Sequence, residues 1–213
     1  MMNGVLRGEN LSASYERRPV FQSVAINLGQ GTYALQGRNG IGKSTLLRLL
    51  AGAQPPDTGD VWIDGESLMT APLTARRALS YVPDESPVYP FMTGEELLDF
   101  VALTKGTEIG TGTKRRIEDF ALRDQLGLRF DAMSLGTQKK MLLSAAWIGA
   151  PRVMLMDEPS NGLDRSSREH LAAAIRGWKS RGTILFASHD SDFITATEAS
   201  IVTMETLIAD AVA

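Results

Sequence analysis

Residues Gly37 to Thr45 read GRNGIGKST: a glycine, four residues, then Gly-Lys-Ser. Just before it, TYALQ over Thr32–Gln36 has the character of a short strand. Just after it, Leu46, Leu47, Leu49 and Leu50 repeat with helical spacing from Lys43 until Gly52 and Ala53. A strand, a glycine loop and a helix in that order make a cradle for phosphate. Glycines allow the tight turn that points backbone N–H groups inward, and the helix N-terminus adds a favourable dipole. Lys43 is placed to reach terminal phosphates, and the Ser44 hydroxyl to ligate Mg²⁺. Gly37, Asn39, Gly40, Gly42, Lys43, Ser44 and Thr45 are thus the candidate nucleotide contacts. The competing reading is a glycine-rich helix cap with Lys43 merely solvated.

Upstream, Val5–Leu28 carries alternating apolar positions (Leu11, Ala13, Tyr15; then Val24, Ile26, Leu28). These predict antiparallel strands with a turn near Arg17–Pro19. Downstream, a Pro/Gly/Asp cluster at Gln54–Asp60 precedes strands at Val61–Ile63 and Leu79–Val82. Gly94–Leu128 is mostly helical, broken near Gly106–Gly112, and a helix follows over about Gly136–Ile148. Strands at Val153–Met156, Ile184–Ala187 and Ile201–Met204 then alternate with a helix over about Arg165–Lys179. Alternation of this kind predicts βαβ units and a parallel sheet. The fold class expected is α/β, with a helical stretch inserted into the sheet as a second lobe of one domain.

The second half of a site follows from that sheet. VMLMDE, Val153–Glu158, is four apolar residues and then two carboxylates at a strand end, where open parallel sheets bind their ligands. Asp157 is placed to hold Mg²⁺, directly or through water, and Glu158 to orient or deprotonate an attacking water. Two acids before Pro159-Ser160 would otherwise cap the next helix. His189, just past the strand Ile184–Ala187, lies at the same edge and can hydrogen-bond a terminal phosphate and Glu158; a solvated loop histidine is the alternative. His170 reads as surface.

The chain has 213 residues, with 43% apolar, 22% charged, a formal net charge of -3 and no cysteine. These numbers suit one globular core and no disulfide framework, and they give no basic footprint for nucleic acid. Met1–Asn10 lacks the pattern of a signal peptide, and no apolar run reaches the roughly 18 residues a membrane span needs. Any membrane crossing is therefore expected from another chain.

In this order the motifs resemble those of the nucleotide-binding subunits of ABC transporters, over nearly the whole chain and with a leaning to the exporter type. The resemblance implies a P-loop NTPase core over about 1–85 and 150–213 and a helical subdomain over about 86–149. Tyr15 falls where the family stacks an aromatic on adenine. Gly37–Thr45 match the phosphate loop, Asp157-Glu158 the magnesium aspartate and catalytic glutamate, Ser160–Asp164 (SNGLD) the D-loop, and His189 the switch histidine. MSLGT, Met133–Thr137, stands at the signature sequence, usually LSGGQ. There Ser134 and Gly136 would bind the γ-phosphate held by a second, head-to-tail subunit. Lys139 and Lys140 in the first turn of that helix oppose its dipole, a conflict that a docked phosphate would relieve. The mechanism implied is an ATP·Mg²⁺ sandwich of two subunits, homo- or heterodimeric, that hydrolysis through Glu158 reopens. It would work on the cytoplasmic face of a membrane with separate permease subunits.

Three departures from the family pattern stand out. Asp84 in YVPDES replaces the Q-loop glutamine, an acceptor-only candidate metal ligand that adds charge beside Asp157 and Glu158. Leu135 replaces the first signature glycine, and Thr137 the glutamine. The short remainder after His189 leaves no room for a regulatory domain on this reading. The loop Glu85–Met92 (ESPVYPFM) carries Val88, Tyr89, Phe91 and Met92 where the family receives a short helix of the membrane subunit; packing beneath the helical lobe is the alternative. Two other function classes stay open: a soluble ABC-type ATPase used as a regulatory or scaffolding switch, and a GTP-binding switch or small-molecule kinase. The chain has no Asn-Lys-x-Asp guanine motif.

Overall fold

The computed structural model describes residues 5–16 and 18–211. Its centre is a parallel sheet built from β3 (Gly31–Gln36), β6 (Leu79–Val82), β7 (Val153–Asp157), β8 (Thr183–Ala187) and β9 (Ser200–Thr203), in the order β6-β7-β8-β3-β9. Every residue of β7 and β8 is buried, as expected of strands covered on both faces. Alternation sorts their side chains. Val153, Leu155, Leu185 and Ala187 face one core cluster, and Met154, Met156, Ile184 and Phe186 face the other.

The first cluster is closed by α1 (Lys43–Leu50) and by a second sheet, antiparallel, in the order β2-β1-β4-β5. Its strands are β1 (Leu6–Tyr15), β2 (Arg18–Leu28), β4 (Thr58–Ile63) and β5 (Glu66–Ser67). Arg17 of the expected turn lies outside the described residues, and Arg18 and Pro19 already belong to β2. The short helix α2 (Pro72–Arg77) leads into β6. The second cluster is closed by α6 (Arg165–Trp178) and by the helices between β6 and β7: α3 (Gly94–Lys105), α4 (Thr111–Asp119) and α5 (Leu135–Ala145). The inserted helices thus share one continuous core with the sheet. α3 starts on a reciprocal cap, with Glu96 N–H donating to Thr93 Oγ1 at 3.2 Å and Thr93 N–H donating to Glu96 Oε2 at 2.8 Å.

Near the end of the chain the strand expected over Ile201–Met204 stops at Thr203. Met204, fully buried, instead opens α8 (Met204–Asp210), with Thr203 as its cap. A further helix, α7 (Ser191–Thr197), follows His189 and is capped by Asp190. No helix among the described residues is long and apolar enough to cross a membrane.

Candidate active site

Strand register fixes the site. Leu35 of β3 and Asp157 of β7 both pair with Ala187 of β8. The residues that follow each strand, Gly37, Glu158 and His189, therefore emerge at one edge of the sheet. There a cleft of about 540 Å³ is lined by Tyr15, Asn39, Gly40, Lys43, Asp157, Glu158 and His189, with Gly42, Ser44, Thr45 and Asp84 also at its wall.

The loop's shape is local chemistry. Gly42, the cap of α1, has φ 110°, and a Cβ there would lie 2.8 Å from Val20 Cγ1. Only glycine fits both constraints. Lys43 Nζ donates to the carbonyls of Gly37 (2.7 Å) and Arg38 (3.2 Å), so the ammonium bridges the loop from within. Arg38 N–H donates outward to Glu205 Oε1 at 3.3 Å. Glu205 comes from α8 and was invisible to the sequence reading, being 167 residues away.

Across the cleft, Asp157 is 6% exposed. Neither its carboxylate nor Ser44 Oγ has a side-chain hydrogen-bond partner among the described residues, and both face the cleft. No group of three or more His, Asp or Glu side chains able to hold a metal occurs among the described residues. A cation here would draw on a hydroxyl, one or two carboxylates and the nucleotide's own phosphates, a donor set that fits Mg²⁺.

Glu158 has φ 44°, a left-handed backbone that costs a non-glycine residue on the order of 1 kcal/mol. Its N–H donates to the Ala187 carbonyl at 2.9 Å, and its own carbonyl accepts from Asn161 N–H at 3.2 Å. The turn aims the carboxylate at His189, whose Nε2 lies 3.3 Å from Oε1 and whose N–H donates to Oε2 at 3.3 Å. Burial raises the Glu158 pKa, and the His189 charge and N–H pull it back. A carboxylate held near a histidine and pushed toward basicity is equipped to take a proton from water.

Tyr15 is 46% exposed at the cleft, but its hydroxyl is anchored. It accepts from Arg48 Nη2 (2.8 Å), donates to Gln54 Oε1 (3.0 Å) and lies 3.5 Å from Thr45 Oγ1. Arg48 and Gln54 were not singled out from sequence. The Thr45 contact, with Arg48, lowers the Tyr15 pKa against some burial.

The signature segment stands apart from this cleft. Ser134 caps α5, accepting from Thr137 N–H at 3.1 Å. Gly136 packs so closely on the D-loop that a Cβ there would meet the Gly162 carbonyl oxygen at 2.8 Å. Asp164 caps α6 by accepting from Ser167 N–H (2.8 Å) and Oγ (2.9 Å), and its carboxyl is held far below its usual range by Lys140. Ser134, Gly136 and Asp164 therefore share one surface but do not join Lys43.

The expected conflict between Lys139, Lys140 and the α5 dipole does not arise. Lys140 pairs with Asp164. Lys139, only 6% exposed, donates to the carbonyls of Pro83 (3.0 Å), Asp84 (3.3 Å) and Asp157 (3.0 Å), with Asp84 Oδ1 at 3.5 Å. No phosphate is needed to satisfy either ammonium. The charge that Asp84 adds beside Asp157 is also matched by an ammonium within the chain.

Comparison with known proteins identifies the family and the fold. Residues 21–161 match the family model described as ABC transporter, and the chain belongs to that family. The fold is accordingly that of an ATP-binding ABC-type ATPase with a P-loop NTPase core. The chain is 28% identical over 190 residues to the linearmycin resistance ATP-binding protein LnrL of Bacillus subtilis, covering 87% of this chain and 61% of that protein. It is also 28% identical over 199 residues to the lantibiotic transport ATP-binding protein SrtF of Streptococcus pyogenes, covering 87% and 80%. Among solved structures, an ATP-binding subunit of an ABC transporter superposes with TM-score 0.84 at 28% identity, covering 93% of this chain and 85% of that one. A dimeric, post-hydrolysis ATP-binding cassette bound to ADP and Pi shares the fold, with TM-score 0.79 at 18% identity, covering 93% of each.

Proposed function

We propose that this chain hydrolyses ATP to power transport through separate transmembrane permease subunits, working as a head-to-tail sandwich dimer on the cytoplasmic face of the membrane. Among the relatives are a linearmycin resistance ATP-binding protein and a lantibiotic transport ATP-binding protein. The observation that carries the proposal is the division of parts. Phosphate loop, acids and His189 meet in one cleft, while Ser134 and Gly136 present a capped helix N-terminus on a different surface. A single chain thus holds half of each of two composite sites. Residues about 1–85 and 150–213 form the catalytic core in this reading, and about 86–149 the helical part that carries the signature.

In the closed state Tyr15 stacks on adenine, and the N–H groups of Asn39–Thr45 and the Lys43 ammonium hold the phosphates. Ser44 and Asp157, with Asp84 nearby, would hold Mg²⁺, which supplies charge neutralisation at the phosphates. Glu158 orients and deprotonates the attacking water, and His189 holds that carboxylate in place and reaches the terminal phosphate. Ser134 and Gly136, with Asp164 behind them, face the nucleotide of the partner.

Glu158→Gln in ATP and Mg²⁺ tests the enzyme and the dimer together. Hydrolysis should fall by about 10²–10⁴-fold while sizing shifts from monomer to dimer. Retained ATP with a monomer at high concentration would sink the self-sandwich.

The permease reading draws on the loop Glu85–Met92. Val88 and Met92 pack against the core, whereas Tyr89 and Phe91 stack on each other at 5.5 Å and stand 65% and 62% exposed. The packing alternative thus holds for Val88 and Met92, and the exposed pair Tyr89 and Phe91 supports the docking reading. Tyr89→Ala with Phe91→Ala should uncouple transport in vesicles yet spare basal ATPase; unchanged transport would contradict the docking role.

A further inference from the structure

Lys105 has no part in the phosphate cleft. It is the last residue of α3, and its ammonium turns into a second cleft of about 390 Å³, lined by Tyr81, Val88, Tyr89, Phe100, Val101 and Leu142. Nζ donates to Ser80 Oγ at 2.6 Å and to the Ile148 carbonyl at 3.0 Å. Both acceptors are neutral, and an ammonium has three donors. Among the described residues no carboxylate pairs with it. Burial alone displaces its pKa, down to about 8, with no charged neighbour contributing.

The rest of the cleft is apolar and its rim is open. Tyr89 and Phe100 are both more than half exposed. A purely apolar occupant would strip the remaining water from Lys105 and give it no counter-charge, which is costly for a buried ion. A carboxylate would complete both its hydrogen bonding and its charge.

We propose that this cleft takes a short amphipathic helix of the membrane partner whose apolar face carries one Asp or Glu, seated on Lys105. The inference rests on the docking role proposed above and names its chemistry. Apolar anchors at i, i+3, i+4 and i+7 fill the groove, and the single acid sets register and selects the partner, as a complementary charge does at interfaces. Lys105 is a specificity-determining residue, remote from ATP.

The test uses the full chain and two synthetic helical peptides of about 15 residues, long enough for marginal helicity. Both carry Leu and Phe at the anchor positions, with either Glu or Gln at the centre of that face. At pH 7 and low salt the Glu peptide should bind about tenfold or more tightly than the Gln peptide. That preference should vanish in Lys105→Met and persist in part in Lys105→Arg, with ATP binding retained by all three chains as the check on folding. Bound Glu peptide should also move the Lys105 Nζ titration, followed by NMR, above about 8. Equal affinity of the two peptides overturns the charge pairing while leaving docking intact. Failure of both to bind overturns the docking reading, and the pairing with it.

Discussion

Lys139 Nζ lies 3.5 Å from Asp84 Oδ1 and 3.0 Å from the Asp157 carbonyl oxygen, so one buried ammonium joins the helix of the signature segment to both acid-bearing strand ends. Burial lowers its pKa, and Asp84 opposes that shift most. The consequence is that Asp84 is more than a substituted glutamine; it belongs to a charge-matched pair.

Lys139→Met should therefore leave carbonyls from two strand ends without their donor. The expected cost is about 2–4 kcal/mol, read as a lower urea midpoint. Asp84→Asn should cost under about 1 kcal/mol, because that side chain is half exposed. Equal costs for the two would mean that Lys139 serves the carboxylate rather than the carbonyls.

Gly136→Ala should act at the D-loop and not at the nucleotide held by its own chain. Its Cβ meets backbone, which cannot swing aside as a side chain can. Overpacking of this kind costs about 1–3 kcal/mol. Affinity for ATP in the isolated subunit should stay unchanged, while ATP-driven dimerisation and turnover fall. A loss of affinity in the monomer would place Gly136 in the chain's own site.

Stability should depend on pH through Lys105. Below about 8 its ammonium is charged in both folded and unfolded chains, and the cost of burying it is present in full. Between about 8 and the ordinary lysine range near 10.4, the folded chain gives up the proton first. The unfolded chain then binds more protons, so stability rises with pH. In urea melts the wild type should gain on Lys105→Met across this window, by on the order of 1–3 kcal/mol. A difference that stays flat from pH 7 to 10.5 would show that Lys105 is effectively solvated.

What was legible in the sequence was whatever chemistry sits at a strand end. The runs Thr32–Gln36, Val153–Met156 and Ile184–Ala187 each announce a buried strand, and each is followed at once by its functional group. Parallel register then brings those groups together without further information. Long-range pairing was not legible. Lys139 showed only a clash with its own helix dipole, because its carbonyl partners lie 18, 55 and 56 residues away. Glu205 met Arg38 from the far end of the chain. Met204 read as the end of a strand because an apolar residue after Ile201 and Val202 continues the pattern; only the Thr203 cap, whose Oγ1 accepts from Thr206 N–H, turns it into a helix. The short helices α2 and α7 span less than two turns, too few for periodicity to show.

The anchoring of Tyr15 has a consequence for nucleotide choice. Its hydroxyl is tied to Thr45 and Arg48, which belong to the same helix that begins with Lys43 at the phosphate loop. If the ring stacks on the base, platform and cradle are two marks on one rigid ruler. Stacking tolerates any base, whereas a fixed span tolerates only one length of ligand. The cleft should then accept guanosine triphosphate nearly as readily as its adenosine counterpart, and discriminate against ligands whose base sits nearer to, or farther from, the phosphates.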